Sequence, residues 1–217
     1  MSLYQYFRTN TDLPINKWTH YFSIYERHFH HLRDKPVLFF EIGSGQGGSS
    51  RMWRDYFGPL AQIVTMDIRP ECKQFEADQI AARIGNQSDY GFLRSVLDEF
   101  GCPDLVLDDG SHVMADIKAS LEALYPRMPR NGIYMVEDTH TSYWRHWGGG
   151  LGKSGTFIEE MKDLIDAMHG DNPHHASEAD IAPEGSALSA LTSSLHFYNS
   201  IVVLERGDSH PSYARSI

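Results

Sequence analysis

An α/β fold, an open sheet of mostly parallel strands closed by antiparallel strands near its C-terminal end, is what the sequence predicts. Three observations predict it. From Val37 onward short apolar runs alternate with stretches of helical periodicity, the first run stops at a glycine-rich turn, and later runs end in acidic residues. The length suits one domain, because 217 residues of which 41% are hydrophobic and 12% aromatic can bury a sizeable core.

Val37-Leu38-Phe39-Phe40-Glu41-Ile42 is the first strand, nearly continuous in apolar residues and stopped by Gly43-Ser44-Gly45-Gln46-Gly47-Gly48. Ser49 and Ser50 offer caps for a helix whose Met52, Trp53, Tyr56 and Phe57 recur at helical spacing until Gly58-Pro59 ends it. A second strand, 63–66, ends at Asp67, and a third, 80–84, precedes Gly85-Asn86-Gln87. Tyr90, Phe92, Leu93, Val96 and Leu97 share one face of a helix over 90–100. The fourth strand, 104–107, runs into Asp108-Asp109-Gly110-Ser111-His112. A helix over 115–125 follows, then a fifth strand, 133–136, ending in Glu137-Asp138. Beyond it the pattern changes to a helix over 157–168, a polar loop over 171–185, and an apolar, β-branched stretch over 195–204 that reads as antiparallel edge strands. Residues 1–35 read as an N-terminal cap region on a single domain spanning 1–207, and 208–217 as a flexible tail with little to pack.

Nineteen Lys+Arg against 29 Asp+Glu give a net charge of −10, a field that repels phosphate backbones and anionic lipid, so neither nucleic acid nor a membrane is an expected partner. The N-terminus lacks a signal-peptide pattern and no stretch approaches the ~20 apolar residues of a membrane span, so the expected location is cytoplasmic. Cys72 and Cys102 are too few for a disulfide framework and too far apart for a metal knuckle. His28, His30, His31, His169, His174 and His175 fall in polar segments and are expected on the solvated surface.

Gly43, Gly45 and Gly48 satisfy the G-x-G-x-x-G spacing, which lets backbone approach a ligand and aims a helix N-terminus at it. Asp67, at the end of the next strand, stands where a carboxylate takes both hydroxyls of a ribose. Because the chain closes with antiparallel strands rather than a second βαβαβ half, S-adenosylmethionine fits better than a dinucleotide. Asn86-Gln87-Ser88-Asp89 supplies groups for an adenine edge. An NAD-dependent dehydrogenase is the alternative that the same glycines and Asp67 motivate, and a non-catalytic nucleotide- or carbohydrate-binding protein is another.

Asp109, Glu137 and Asp138 gather at the ends of adjacent strands, where their repulsion calls for a cation, and three oxygens with open positions suit Mg²⁺. Solvated loop acids are the alternative reading. Asp108, next to Asp109 in extended backbone, points to the opposite side, toward the cofactor or the loop architecture. His112 is the candidate general base: an alcohol is too weak an acid for histidine alone, but a divalent metal lowers such a pKa by several units. His140, Tyr143, Trp144 and Trp147 form an aromatic cluster suited to a sugar ring, with Gly148-Gly149-Gly150 as the hinge of a lid. A packing corner or a dimer contact is the alternative for these aromatics, and a homodimer is expected from them.

Taken together, Glu41 to Gly48, Asp108 to His112 and Val136 to Trp144 resemble the class I S-adenosylmethionine-dependent sugar O-methyltransferases of the metal-dependent mycinamicin type. The resemblance runs from about Lys17 to Gly207. It implies a Rossmann-like, seven-stranded, mostly parallel sheet, Mg²⁺ held by Asp109, Glu137 and Asp138, and His112 as base. It also implies cofactor contacts from Glu41, Gly43, Ser44, Gly45, Ser49, Asp67, Gln87 and Asp108, and from the upstream Lys17 and Tyr21. Larger members carry an extra N-terminal domain that this chain is expected to do without, and Asn86 stands where relatives often show Asp. Compact members to which the chain is similar methylate mannose polysaccharides, which implies a sugar or oligosaccharide acceptor such as the 1-hydroxyl of a methylated mannoside.

Overall fold

The apolar runs become the strands of one sheet: β1 (Leu38–Ile42), β2 (Gln62–Asp67), β3 (Ile80–Ile84), β4 (Leu105–Asp108), β5 (Ile133–Glu137), β6 (Thr192–Tyr198) and β7 (Ile201–Arg206). The structure is a computed structural model and describes residues 1–170 and 184–207. The strand order is β3-β2-β1-β4-β5-β7-β6. β1 to β5 run parallel, β7 opposes β5, and β6 opposes β7, which is the predicted antiparallel close. Every residue of β4 and β5 is buried, as a parallel sheet covered on both faces requires.

Helices supply that cover. On one face α1 (Leu3–Thr9), α2 (Tyr21–Phe29) and α3 (Gly48–Phe57) bring Leu3, Tyr25, Phe29, Trp53 and Phe57 onto Phe39, Leu105, Met135 and Val203. On the other, α4 (Tyr90–Phe100), α5 (Met114–Leu124) and α6 (Phe157–Ala167) bring Leu93, Ile117, Leu121 and Met161 onto Phe40, Val106, Tyr134 and Val202. Among the described residues, no helix is long and apolar enough to cross a membrane.

Two expectations change. The N-terminal cap region contributes to the core: α1 starts with a Ser2–Gln5 capping box, and α2 buries Tyr21, Phe22, Ile24, Tyr25, His28 and Phe29. His28 therefore leaves the solvated surface, and only 4% of it is exposed. Ser49 and Ser50 do not cap α3, because Gly47, left-handed at φ 81°, already turns the chain into the helix and leaves both serines inside its first turn. Residues 171–183 of the expected polar loop, with His174 and His175, and the expected tail at 208–217, lie outside the described residues.

Candidate active site

Strand order reverses between β1 and β4, and ligand crevices of open α/β sheets form beyond the carboxyl ends of strands at such a reversal. A cavity of about 330 Å³ lies there, lined by Gly43 and Gly45, by Asp67 and Arg69 after β2, by Asn86 and Gln87 after β3, and by Asp109 to Ser111 after β4. Glycine is required at its floor. Gly43 sits at φ +89°, and a Cβ there would lie 2.1 Å from the Asp109 carbonyl oxygen, so only glycine lets the two loops touch.

Asp67 is held on every side. The Ser44 amide and hydroxyl each donate to its Oδ2 at 3.1 Å, and Arg69 reaches Oδ1 through Nε at 3.0 Å and Oδ2 through Nη2 at 2.9 Å. Burial works against the charge, but the Arg69 side chain and amide outweigh it and pull the carboxyl down to about 2. Arg69, which the sequence reading passed over, also donates to the Gly45 carbonyl at 2.7 Å and so covers the glycine turn.

Of the predicted cofactor residues, Gly43, Gly45, Asp67 and Gln87 line the crevice, and Ser44 orients Asp67 from behind. Glu41, Ser49 and Asp108 do not line it. Glu41 is fully buried under α3, accepting from Ser50 Oγ at 2.5 Å and Trp53 Nε1 at 3.0 Å; Ser49 bonds to the same carboxyl. Asp108 is buried on the α5 side, accepting from Ser120 Oγ at 2.5 Å, Tyr134 OH at 3.1 Å and Gln87 Nε2 at 3.1 Å. Burial pushes both carboxyls up. Alternation along the strand is the reason: Asp108 and Asp109 face opposite sides, and only Asp109 reaches the crevice. Asn86 closes a turn onto Ser88 through Oδ1 while lining the crevice, and Asp89 caps α4 through Oδ1.

Beside the crevice stands the acidic gap. Lys17 and Tyr21, expected on the cofactor, are found here instead, because the segment leading into α2 crosses the ends of β4 and β5. Lys17 Nζ donates to Asp109 Oδ2 at 2.5 Å and to both Glu137 oxygens at 2.9 and 3.0 Å. Burial opposes its charge, yet Asp109 and Glu137 hold the ammonium well above the ordinary lysine range. Tyr25, missed in the sequence although it lies one turn beyond Tyr21, donates to Glu137 Oε1 at 2.5 Å. Tyr21 donates to Asp138 Oδ1 at 2.6 Å. Asp109 and Asp138 are thus each anchored by one oxygen and turn the other toward His112, whose Nε2 stands 3.8 Å from Asp109 Oδ1 and 3.6 Å from Asp138 Oδ2.

Glu137, the third acid of the expected metal set, lies behind the gap, 1% exposed, with its oxygens held by Lys17 and Tyr25. Burial and the neighbouring Asp109 carboxylate push its carboxyl upward. At the gap, donor atoms of Asp109, His112 and Asp138 lie within 4.8 Å of one another. Its carboxylates suit Mg²⁺, which takes oxygen and not imidazole, so a hard dication there leaves the His112 nitrogen for a proton. His112 and Asp138 both hold left-handed backbone, φ +58° and +54°, a conformation that costs a non-glycine residue about 1–2 kcal/mol and concentrates at working sites.

Around the gap runs an aromatic rim. His140 stacks on Trp18 at 4.9 Å and meets Trp144 edge-on at 4.5 Å, and Trp144 meets Trp147 at 5.4 Å. Trp18 was not foreseen. Tyr143 turns away, into a groove of about 440 Å³ with Phe197 and Lys162. The expected glycine hinge is pinned: the Gly149 amide donates to Trp144 O, the Gly150 amide to Ser142 O, and a Cβ on Gly149 would lie 2.4 Å from Thr141 O. Gly149 serves close packing, and Gly148 takes a left-handed φ of +83°.

No family model matches the chain. It is 36% identical over 208 residues to the 8-demethyl-8-(2-methoxy-alpha-L-rhamnosyl)-tetracenomycin-C 3'-O-methyltransferase of Streptomyces olivaceus, covering 88% of this chain and 51% of that protein. To the mycinamicin VI 2''-O-methyltransferase of Micromonospora griseorubida it is 34% identical, covering 84% and 47%. Among solved structures it matches the MycE methyltransferase of mycinamycin biosynthesis, in complex with Mg, SAH and mycinamycin VI, with a TM-score of 0.81 and 30% identity over 95% of this chain and 53% of that one. The sheet and its switch-point crevice are those of a class I methyltransferase. Within that class, the homologues of the chain are sugar O-methyltransferases of the mycinamicin and tetracenomycin type. The chain spans about half the length of the curated relatives it matches.

Proposed function

We propose that the protein transfers the methyl group of S-adenosylmethionine to a sugar hydroxyl, with Mg²⁺ held by Asp109 and Asp138 and with His112 as general base. The observation that carries this reading is the gap itself, two carboxylates anchored from outside and turned, with an imidazole nitrogen, toward one point beside a cofactor-sized crevice.

Bound there, Mg²⁺ would orient the acceptor hydroxyl and lower its pKa by several units. His112 Nε2 takes the hydroxyl proton as the acceptor oxygen bonds to the methyl carbon; the sulfur–carbon bond breaks and sulfur keeps the pair, leaving S-adenosylhomocysteine. Tyr21 and Lys17 keep Asp138 and Asp109 from turning away, and Glu137 would be a third ligand to the metal if Lys17 released it. Asp67 takes the ribose hydroxyls as Arg69 yields an oxygen. Trp18, His140 and Trp144 offer flat apolar faces to the sugar ring. The antiparallel β6 and β7 stand where a dehydrogenase would build its second nucleotide crevice, which disfavours NAD.

Rhamnosides are the first acceptors to try, as sugars of the kind borne by the homologues' substrates, and methylated mannosides with a free 1-hydroxyl are the second. The exposed Trp18, Tyr143 and Trp144 support self-association as a homodimer, which light scattering reads directly. With methyl-labelled S-adenosylmethionine and such an acceptor panel, label should enter sugar only with a divalent metal, and Asp138→Asn should reduce it at least ~100-fold. Undiminished labelling in chelator, or by Asp138→Asn, would remove the metal from the reading.

A further inference from the structure

A second cluster lies away from the acidic gap, and α2 links the two. Tyr21 and Tyr25 point from α2 to Asp138 and Glu137, and His28, one turn further on the same face, points to the edge strands. There His28, His196 and Glu205 bring two imidazole nitrogens and a carboxylate oxygen within 4.8 Å of one another. The alternation of β6 puts Ser194, His196 and Tyr198 on one face, and Glu205 is the β7 partner of Ser194.

The spacing is informative. Glu205 Oε1 is 3.3 Å from His28 Nδ1 and 3.4 Å from His196 Nε2. Both separations exceed the ~2.8 Å of a charge-assisted hydrogen bond and match the edge, about 3.3–3.4 Å, of a tetrahedron whose corners lie ~2.0–2.1 Å from a central Zn²⁺. The outer atoms are held as well. Tyr198 OH lies 2.9 Å from His28 Nε2, and Ser194 Oγ donates to Glu205 Oε2 at 2.7 Å. These bonds fix which His28 nitrogen and which Glu205 oxygen face inward, as outer partners do around metal-bound imidazoles and carboxylates, while the inward His196 Nε2 lies 3.2 Å from Ser194 Oγ, a contact the ion would replace.

We propose that His28, His196 and Glu205 bind one Zn²⁺-type dication as a structural clamp between α2 and the sheet edge. Two imidazoles select a borderline transition metal over Mg²⁺. His28 anchors the site from inside the protein, while the side chains of His196 and Glu205, 35% and 36% exposed, admit the ion and a water as fourth ligand. Clamping α2 holds Tyr21 and Tyr25 against the acids of the gap, so the ion acts on the reaction through position.

The test uses the full chain carrying Asp138→Asn, which disables the acidic gap as a competing Zn²⁺ site, in excess Mg²⁺. Equilibrium dialysis should find one Zn²⁺ per chain, and Co²⁺ in its place should show the strong visible absorption of a four-coordinate ion. Adding His196→Ala should weaken binding at least ~10-fold and abolish that absorption. Glu205→Gln, a milder change at a half-exposed position, should do the same with the far-ultraviolet dichroism unchanged. No Zn²⁺ on the Asp138→Asn chain, or equal Zn²⁺ on Asp138→Asn and on either double variant, would overturn the site.

Discussion

Asp109 and Asp138 owe their orientation to groups far away in sequence, the Lys17 ammonium and the Tyr21 hydroxyl, each of which takes one oxygen and leaves the other facing His112. The His112→Ala variant should therefore keep its affinity for S-adenosylhomocysteine while its turnover falls by ~10²–10⁴-fold, and the acid limb of its pH–rate profile should flatten. Initial rates across pH 5 to 9 check both. Asp67 makes a different prediction. Its carboxyl is lowered to about 2 in the folded protein, so the stability it contributes is fully present above about pH 4 and is lost as pH falls toward 2. Arg69→Ala should thus lower unfolding free energy by about 1 kcal/mol or less at pH 6, since Arg69 is half exposed and screened, and the difference should shrink by pH 2.5 in urea titrations. Asp67, Asp109, Asp138 and His112 were legible because they follow strand ends. Arg69, Trp18 and Tyr25 carried no such marker. That Asp108 turns away from Asp109 was legible from strand alternation, whereas the places of Glu41 and Glu137 depend on what packs over each strand face, and composition around a motif does not decide that.

The helices show the same division. α3, α4 and α5 were legible from helical spacing of large apolar residues between glycine breaks, and their observed ends fall within about two residues of expectation. α2 was not, for a physical reason: its N-cap, His20, makes no side-chain capping bond, and nine residues carry too little periodicity to stand out from a polar flank. Yet this short helix supplies donors to two of the three acids. Tyr25→Phe should leave the fully buried Glu137 short of a partner and destabilise the fold by about 1–3 kcal/mol, whereas Tyr21→Phe should cost under about 1 kcal/mol because water can reach Asp138. Urea midpoints at constant slope separate the two. Equal losses would mean that burial does not decide the value of these bonds.

Across the whole molecule, five parallel strands and an antiparallel close place a cofactor-sized crevice and an acidic gap side by side at one edge, with aromatic side chains as the outer wall. The alternation of strands and helices made that architecture legible, since each run was short, apolar and bounded by glycine or acid. What stayed hidden was the way the N-terminal segment folds back over the strand ends, because contacts such as Lys17 to Glu137 join residues with no local pattern in common. The claim that this crevice takes S-adenosylmethionine is tested most directly by calorimetric titration of the protein with S-adenosylhomocysteine and, separately, with NAD, each in Mg²⁺ and in chelator. S-adenosylhomocysteine should bind and, at one hundred times its dissociation constant, stabilise the fold by ~2.7 kcal/mol, while NAD should release no heat. Heat from NAD with none from S-adenosylhomocysteine would contradict the account and return the glycine turn to a dinucleotide.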